Sequence, residues 1–318
     1  MIQTNLILVD GLPGSGKSVT AQILSLHLNR LGLDAEWFFE HQSSHPIYRY
    51  DDPERMFDLS VTESKEVAAQ ALVNWQKLAD RLQGTSRVVI LESTLFQMTI
   101  GWLQLMDTDR EEIIRFVCSI SQILTEVNPA LIYFYQDDVP TALRKTCELR
   151  GDWFPTFLIS RIGRTPYGKR ESVADLNGVI TFYERVRSIT DELFSKLSFA
   201  KTAIETSARD WRRYYRQISD LLQIPPIDPV FPAPDGCGRL VGRYRELNSG
   251  NEIGIGCDSE GLYFEEPGRP RLFHNKGNSF CVEGVCIQFS FQDRVDGGGV
   301  EIEASGDVPG AGGRWIRV

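Results

Sequence analysis

Apolar residues follow two different periods along the first two thirds of the chain. Five short runs are almost continuously apolar, as buried strands are: NLILVD, AEWFFE, RVVILE, ALIYFY and the weaker AKTAIET. Between them, segments such as SVTAQILSLHLNRLG and KEVAAQALVNWQKLADRL repeat apolar residues every three or four positions. Helices that cover a sheet have this period. The alternation predicts an α/β domain with a parallel five-stranded sheet and flanking helices.

The pattern changes after Leu222. The next stretch, QIPPIDPVFPAPDG, has too many prolines for a helix or a central strand and predicts a semi-rigid linker. Beyond it, turn residues separate short alternating runs such as EIGIGC, GLYFEE and VCIQFSF. We therefore predict an α/β domain over 1–222, a linker over 223–236, and a small antiparallel β domain, a barrel or meander, over 237–318.

Composition and charge exclude several classes of protein. A formal charge of -9 argues against a surface that coats nucleic acid or an anionic membrane, because both need a basic face. No apolar run approaches the roughly 20 residues that span a bilayer, and the first residues do not resemble a signal peptide. We therefore expect a cytoplasmic protein with no membrane partner. Cysteines without a C-x-x-C pair and histidines without H-E-x-x-H predict reduced thiols and no structural zinc.

The clearest motif follows the first predicted strand. Gly11 to Ser18 read GLPGSGKS, a full match to G-x-x-x-x-G-K-[ST] that leads directly into an amphipathic helix. Glycines let successive backbone N–H groups turn inward on phosphates, Lys17 supplies charge to the β- and γ-phosphates, and Ser18 offers a hydroxyl to Mg²⁺. We predict ATP and Mg²⁺ as cofactors. The predicted nucleotide contacts are Gly11, Pro13, Gly14, Ser15, Gly16, Lys17, Ser18 and Val19.

Four segments within 1–222 resemble the deoxynucleoside kinase and thymidylate kinase group of P-loop phosphotransferases. PALIYFYQDDVPTALRKTCELRG is similar to the group's strand, acidic turn and Arg-bearing helix before a mobile lid. RVVILESTLFQ resembles the strand that ends in an acidic residue, and AEWFFEH the second strand, whose terminal Glu faces the acceptor hydroxyl. AIETSARDWRRYYRQISDLL resembles the last strand and helix, whose connecting loop borders the adenine. The resemblance implies phosphotransfer to a hydroxyl of a small molecule, nucleoside-like or antibiotic-like.

Two carboxylates take their roles from this resemblance. It makes Glu40 the candidate general base, and Glu92, with Ser18, the candidate ligand of Mg²⁺. The carboxyl ends of parallel strands meet at the sheet edge where a phosphate loop lies, so both can reach the reacting groups. The group commonly has Pro at the position of His41 and Arg at that of Ser93. Either another cation supplies the missing charge or the acceptor geometry differs, and Glu92 remains the alternative base.

Basic residues are concentrated between Arg144 and Arg170. By resemblance, Arg144 and Arg150 are the first candidates for catalytic lid residues, followed by Arg161 and Arg164. An arginine brought onto the transferring phosphoryl group can stabilise the charge on its oxygens. Glycines and prolines punctuate the segment and predict a mobile arginine-bearing loop: Gly151, Pro155, Gly163, Pro166 and Gly168. Solvated charges on a helix face are the alternative.

Acceptor contacts are predicted from two further segments. KEVAAQALVNWQKLADRL resembles the helix of the group that presents a Gln to the acceptor base, which makes Gln70 and Gln76 candidates, with surface glutamines as the alternative. HQSSHPIYRYDDPER is rich in polar and aromatic residues and long enough to line a pocket. Within it, Tyr48, Arg49 and Tyr50 can stack on or bond a planar or sugar-like acceptor. With Glu40, these are the predicted substrate contacts.

The C-terminal part, from GRLVGRYREL onward, resembles the small β-barrel-like domain appended to serine beta-lactamase-like enzymes, by its G-x-Y opening and F-x-F-x-D strand. Such a module is usually non-catalytic. It is expected to cover the acceptor crevice or to mediate a homodimer.

Three functions remain at this stage. The first is an ATP- and Mg²⁺-dependent small-molecule kinase. The second is a nucleotide-gated regulatory or binding ATPase that acts with a protein partner, although the chain has no guanine-reading N-K-x-D and no switch threonine pattern. The third, a polynucleotide end kinase, is disfavoured by the acidic charge.

Overall fold

The computed structural model describes residues 3–48, 57–231, 234–266, 268–294, 299–307 and 312–318. The chain divides into two compact units. Unit 1 comprises Met1–Glu40 and His45–Ile227, and unit 2 comprises His41–Ser44 and Asp228–Val318. The division between the main bodies falls within the proline-rich segment.

Unit 1 contains a parallel five-stranded sheet in the order β2-β3-β1-β4-β5, which confirms the predicted α/β class. Its strands are β1 Leu6–Gly11, β2 Ala35–Phe38, β3 Val88–Glu92, β4 Ala130–Tyr135 and β5 Ala200–Glu205. Every residue of β1 and β3 is buried, because helices cover both faces of a parallel sheet. Because β2, β3 and β1 are neighbours in the parallel sheet, their carboxyl ends lie side by side.

Nine α-helices are described in unit 1: α1 Lys17–Arg30, α2 Val61–Leu82, α3 Thr99–Leu105, α4 Arg110–Leu124, α5 Val139–Arg150, α6 Trp153–Arg164, α7 Pro166–Arg170, α8 Leu176–Lys196 and α9 Trp211–Leu222. The long helix α2 begins with a capping box, in which Ser60 and Glu63 each accept the other's backbone N–H. One contiguous apolar core joins one face of the sheet to helices α2 to α8, and further buried apolar residues lie on α1 and α9. No helix in the described ranges is long and apolar enough to cross a membrane.

The predicted arginine-bearing loop is wrong, because the segment folds into α5, α6 and α7. Two of its glycines, Gly163 and Gly168, serve close packing. A Cβ on Gly168 would lie 1.8 Å from the Ile162 carbonyl oxygen, and one on Gly163 would lie 2.8 Å from that of Val173. Proline is accommodated in the first turns of α6 and α7, where no intrahelical N–H bond is lost. The arginines are thus fixed on helices.

Unit 2 is a closed antiparallel barrel, which confirms the small β domain predicted for this part of the chain. Its eight strands are β6 Gly242–Glu246, β7 Glu252–Asp258, β8 Gly261–Phe264, β9 Arg271–Lys276, β10 Ser279–Val282, β11 Ile287–Asp293, β12 Val300–Gly306 and β13 Gly313–Arg317. Its own side chains fill the interior, including Tyr244, Phe280 and Ile302, which are fully buried. The Tyr244 hydroxyl donates to the Leu240 carbonyl oxygen at 2.7 Å, which satisfies it inside the apolar core.

Candidate active site

The glycine-rich loop connects β1 to α1 and is tightly enclosed. Gly14 and Gly16 have φ angles of +78° and +94°, a region that favours glycine. A Cβ on Gly14 would lie 2.2 Å from Thr146 Oγ1, and one on Gly16 would lie 2.1 Å from the Trp211 ring. Helices α5 and α9 therefore press against the loop and leave space only for glycine.

The amino terminus of α1 is open to an anion. Its N-cap is Gly16, which provides no side-chain cap, and no acidic residue lies in the first turn. Uncapped N–H groups and the helix dipole favour a phosphate at this position. Lys17 is buried, and its Nζ donates to the Leu12 carbonyl oxygen at 3.0 Å, which keeps the ammonium beside the loop. The predicted nucleotide contacts all belong to this loop and the first turn of α1.

Three carboxylates meet at the adjoining sheet edge. Asp10 in β1 and Glu92 at the end of β3 are both 0% exposed. Glu40, which follows β2, is half-buried, and its backbone N–H donates to Glu92 Oε1 at 3.4 Å. The sheet order explains the meeting, because β2, β3 and β1 are neighbours. The two carboxylates predicted for catalysis are thus brought together beside the loop.

Crowded like charges define the electrostatics of this cluster. Burial lowers the pKa of Lys17, and the nearby carboxylates oppose that shift, Glu40 first and then Glu92 and Asp10. Burial also raises the pKa of Glu92 to about 8, to which the charge of Glu40 adds, while Lys17 and a hydrogen bond from Ser18 oppose it. The arrangement has more carboxylates than ammonium groups and favours a further cation.

Glu92 and Ser18 fit the predicted magnesium ion. Glu92 Oε2 is buried and has no hydrogen-bond partner among the described residues. Such an oxygen is costly to bury unless a cation or donor reaches it. No group of three or more His, Cys, Asp or Glu in the described part of the chain is arranged to hold a metal. Mg²⁺ that binds together with ATP needs fewer protein ligands. Phosphate oxygens and water fill most of its coordination shell, and one or two protein oxygens complete it.

Sequence reasoning missed a second set of contacts at this edge. After β3 the chain passes through Ser93, at φ +58°, into a single π-helical turn, Thr94–Met98. The backbone N–H groups of Phe96 and Gln97 donate to Asp10 Oδ2 and Oδ1 at 2.8 and 2.9 Å. The Gln97 side-chain amide donates to Glu40 Oε2 at 2.9 Å. The one available signal was a charged residue, Asp10, within an otherwise apolar run.

The predicted lid arginines have different partners. Arg144 donates to Asn177 Oδ1 at 2.9 Å, and Arg164 forms an ion pair with Asp58 in which Nε lies 3.2 Å from Oδ1. Arg150 stacks on Phe154, and its charge acts on Lys17. Arg161 stacks on Phe157, with its guanidinium carbon 3.6 Å from the ring centroid. Arg161 and Arg164 both lie over the Phe57 ring, at 4.8 and 5.7 Å from its centroid, so these two arginines are neighbours.

Tyr183 on α8 lies within range of the charges of Glu40, Arg150 and Arg161, and the sequence did not indicate it. Burial raises the pKa of its phenol; the charge of Glu40 adds to the shift, and Arg150 and Arg161 oppose it. The phenol therefore remains neutral.

The predicted acceptor residues have different surroundings. Tyr48 is buried and its hydroxyl bonds to Thr99 Oγ1 at 2.6 Å, while the neighbouring His45 bonds to Thr94 Oγ1 at 3.2 Å. These bonds attach the segment after Glu40 to the residues around the π-helical turn. Gln70 and Gln76 are exposed, and their amides donate to Asn74 and Asp80 of their own helix. Arg49 and Tyr50 lie outside the described residues.

A cavity of about 620 Å³ opens beside Gly14. Its walls are one face of α5 and the loop between β5 and α9, including Ala142, Lys145, Ala208 and Arg209. The volume falls within the range of pockets for nucleotide-sized ligands, roughly 300 to 1,000 Å³. The cavity adjoins the phosphate loop at the same connection that the sequence resemblance associates with the adenine.

Solved structures with a similar fold include three that each cover 69% of this chain. They are deoxyadenosine kinase from M. mycoides with bound dATP (16% identity, 99% of that chain, TM-score 0.39), thymidylate kinase from Candida albicans (14%, 92%, 0.39) and a GTPase from Pyrococcus abyssi in its apo form (11%, 97%, 0.28). The first two are kinases of the group that the sequence resembles. No protein-family model and no curated protein matches the sequence.

Proposed function

We propose that the protein is a kinase that uses ATP and Mg²⁺ to phosphorylate a hydroxyl group of a small molecule. The observation that carries this proposal is the meeting of Glu40, Glu92 and Lys17 in one buried charge cluster beside the glycine-rich loop. A phosphate-binding loop alone is compatible with hydrolysis or with signalling. A carboxylate beside it, placed to accept the proton of an attacking hydroxyl, favours transfer.

Each part of the reaction has a residue to support it. The loop amides and Lys17 bind the phosphates, and Ser18 with Glu92 would hold Mg²⁺, which neutralises phosphate charge when bound. Glu40 accepts the hydroxyl proton. Arg150, whose charge acts on Lys17, and Arg161, which stacks on Phe157, supply positive charge for the transferring group. The cavity beside Gly14 accommodates the base and sugar of the nucleotide.

The acceptor class follows from the same surroundings. We infer that the acceptor is a polar molecule with a free hydroxyl, since the Glu40 carboxylate lies beside the polar groups of Glu92 and Gln97. Deoxynucleosides and aminoglycosides are the two classes to test first.

The test is transfer of label from γ-labelled ATP. The protein is incubated with deoxynucleosides, then aminoglycosides, then a small-metabolite pool, and products are identified by mass spectrometry. We expect ATP to be consumed only when an acceptor is present. Lys17→Ala should abolish transfer, whereas Lys196→Ala, which removes a surface lysine paired with Glu192, should not. Rapid hydrolysis without an acceptor would contradict the proposal. A protein captured only with nucleotide, without phosphorylated product, would favour the regulatory ATPase.

A further inference from the structure

Gln97 bridges two of the carboxylates at the site. Its backbone N–H donates to Asp10 Oδ1 and its side-chain amide donates to Glu40 Oε2, each at 2.9 Å. We propose that Gln97 is a positioning residue that fixes the Glu40 carboxylate for proton acceptance, and that Asp10 holds Gln97 in place. The inference rests on the proposed function, because it takes Glu40 as the base.

The chemistry of the contact determines its direction. An ionised carboxylate oxygen can only accept, so the amide must present its NH₂ group to Glu40. Hydrogen bonds to ionised acceptors are among the stronger ones in proteins. A neutral donor also has an advantage over a cation, because a cation would compete with the incoming proton for the carboxylate. Gln97 thus restrains Glu40 without neutralising it.

A hydrogen bond to Asp10 holds Gln97 in position for its contact with Glu40. The π-helical turn begins after Ser93 with no side-chain cap, so its first N–H groups need an acceptor from elsewhere. Asp10 accepts those of Phe96 and Gln97, and at 3.2 Å also that of Gly11. One carboxylate therefore fixes both the start of the phosphate loop and the turn that carries Gln97. The distance between the loop and Glu40 depends on this connection.

Ser93 does not provide the same restraint. Its side chain is fully buried, and its hydroxyl has no hydrogen-bond partner among the described residues. The residue adopts φ +58° to turn the chain into the π-helical segment. Of the two residues, Gln97 is the one that bonds to Glu40.

Crystal structures of three variants test the positioning. Gln97→Met removes the donor at similar length, and Gln97→Lys keeps an N–H donor. Gln104→Met makes the first change at another buried glutamine, on α3. Each is solved with Mg²⁺ and a non-hydrolysable ATP analogue. We expect Glu40 to be displaced only in Gln97→Met. A Glu40 carboxylate that keeps its position in Gln97→Met would overturn the proposal.

Kinetics test whether this position matters for catalysis, with deoxynucleosides and aminoglycosides as acceptors. Gln97→Met should lower kcat by about 10- to 100-fold and leave the KM for ATP within about twofold. Gln97→Lys should recover little of the loss although it holds Glu40 in place, because its ammonium competes with the proton for that carboxylate. Asp10→Asn combined with Gln97→Met should lose less turnover than the product of the two single losses, because the two residues share one contact. Multiplying losses would overturn the role given to Asp10.

Different results would overturn the proposed function and the role of Gln97. If the wild type phosphorylates no acceptor in the panel or in the metabolite pool, the proposed function fails, and the catalytic role of Gln97 fails with it. If the wild type is active and Gln97→Met has normal turnover, only the role of Gln97 is overturned. A parallel loss of turnover and ATP affinity in Gln97→Met would also count against it, since a general disturbance of the site would produce that result.

Discussion

The residues of the site place like charges close together in a buried region, which is electrostatically unfavourable. Asp10, Glu40 and Glu92 share one region with Lys17, and two of the three carboxylates are fully buried. Unpaired buried charge destabilises a folded protein, so a cluster of this kind is expected where a ligand supplies the balancing charge. Phosphates with a bound cation would bond to Lys17 and balance the carboxylates at the same time.

Glu40→Gln separates binding from turnover. The substitution keeps size and hydrogen bonding but removes the group that accepts a proton. We expect kcat to fall by about 10² or more, because general-base catalysis contributes that much. Binding of an ATP analogue, measured by calorimetry, should not change, since the loop and Lys17 are intact. The control is Glu36→Gln, at a surface carboxylate paired with Arg87. Near-normal turnover would transfer the base role to Glu92.

Stability without nucleotide should depend on pH. Burial raises the pKa of Glu92 from 4.5 to about 8 and that of Asp10 from 3.8 to about 6. The folded state holds both protons more tightly than the unfolded state, so this contribution is complete below about pH 4 and is lost as pH rises through about 6 and then 8. In EDTA, we expect the melting temperature to decrease across this window.

The variant Glu92→Gln isolates this effect. The amide that replaces the Glu92 carboxyl does not titrate. The melting temperature of this variant should therefore decrease less than that of the wild type between about pH 6 and 9. Differential scanning fluorimetry at matched ionic strength measures both slopes. Equal slopes would show that Glu92 does not bind its proton more tightly in the folded protein.

At the scale of secondary structure, the apolar pattern was sufficient where burial was complete. ALIYFY has the same bounds as β4, and each of the other four predicted strands overlaps the strand found. The region 144–170 was misjudged because glycine serves two purposes. At Gly163 and Gly168 it permits contact between backbones, whereas a hinge needs conformational freedom. The sequence alone does not distinguish these two uses.

The site could be predicted only where a motif or a strand end marked it. Lys17, Ser18 and Glu92 follow from the glycine-rich motif and a buried strand. Gln97 was missed, because its importance arises from a contact with Glu40, which lies on an element distant in the sequence. The exposure of Gln70 and Gln76 follows from the helix period, since Ala71, Trp75 and Leu78 define the buried face of α2.

The loop between β5 and α9 should control nucleotide affinity. Ala208 lines the cavity beside Gly14, so Ala208→Trp fills part of the space assigned to the nucleotide base. We expect the KM for ATP to rise about tenfold or more while kcat changes little, because the phosphate and acceptor groups are untouched. Ala200→Trp, at the exposed start of β5, is the matched control. An unchanged KM in Ala208→Trp would place the base elsewhere.

At the scale of the whole molecule, the described residues of each unit have a hydrophobic core of their own. In unit 1 a large apolar cluster joins one face of the parallel sheet to helices α2 to α8, and in unit 2 another fills the closed barrel. A barrel closed on itself has no unpaired edge strand, and its apolar interior is complete without residues of the sheet. Each unit therefore has its own hydrophobic core, which a domain needs to fold cooperatively.

Calorimetry should resolve the two units. We expect two unfolding transitions in the full chain, one of which also appears in a fragment spanning 228–318. An ATP analogue with Mg²⁺ at about 100 times its Kd stabilises the state that binds it by about 2.7 kcal/mol, so the transition of unit 1 should move upward by several degrees. The barrel transition should not move, and Lys17→Ala should abolish the shift. A nucleotide-dependent shift in the isolated fragment would contradict the assignment of ATP binding to unit 1.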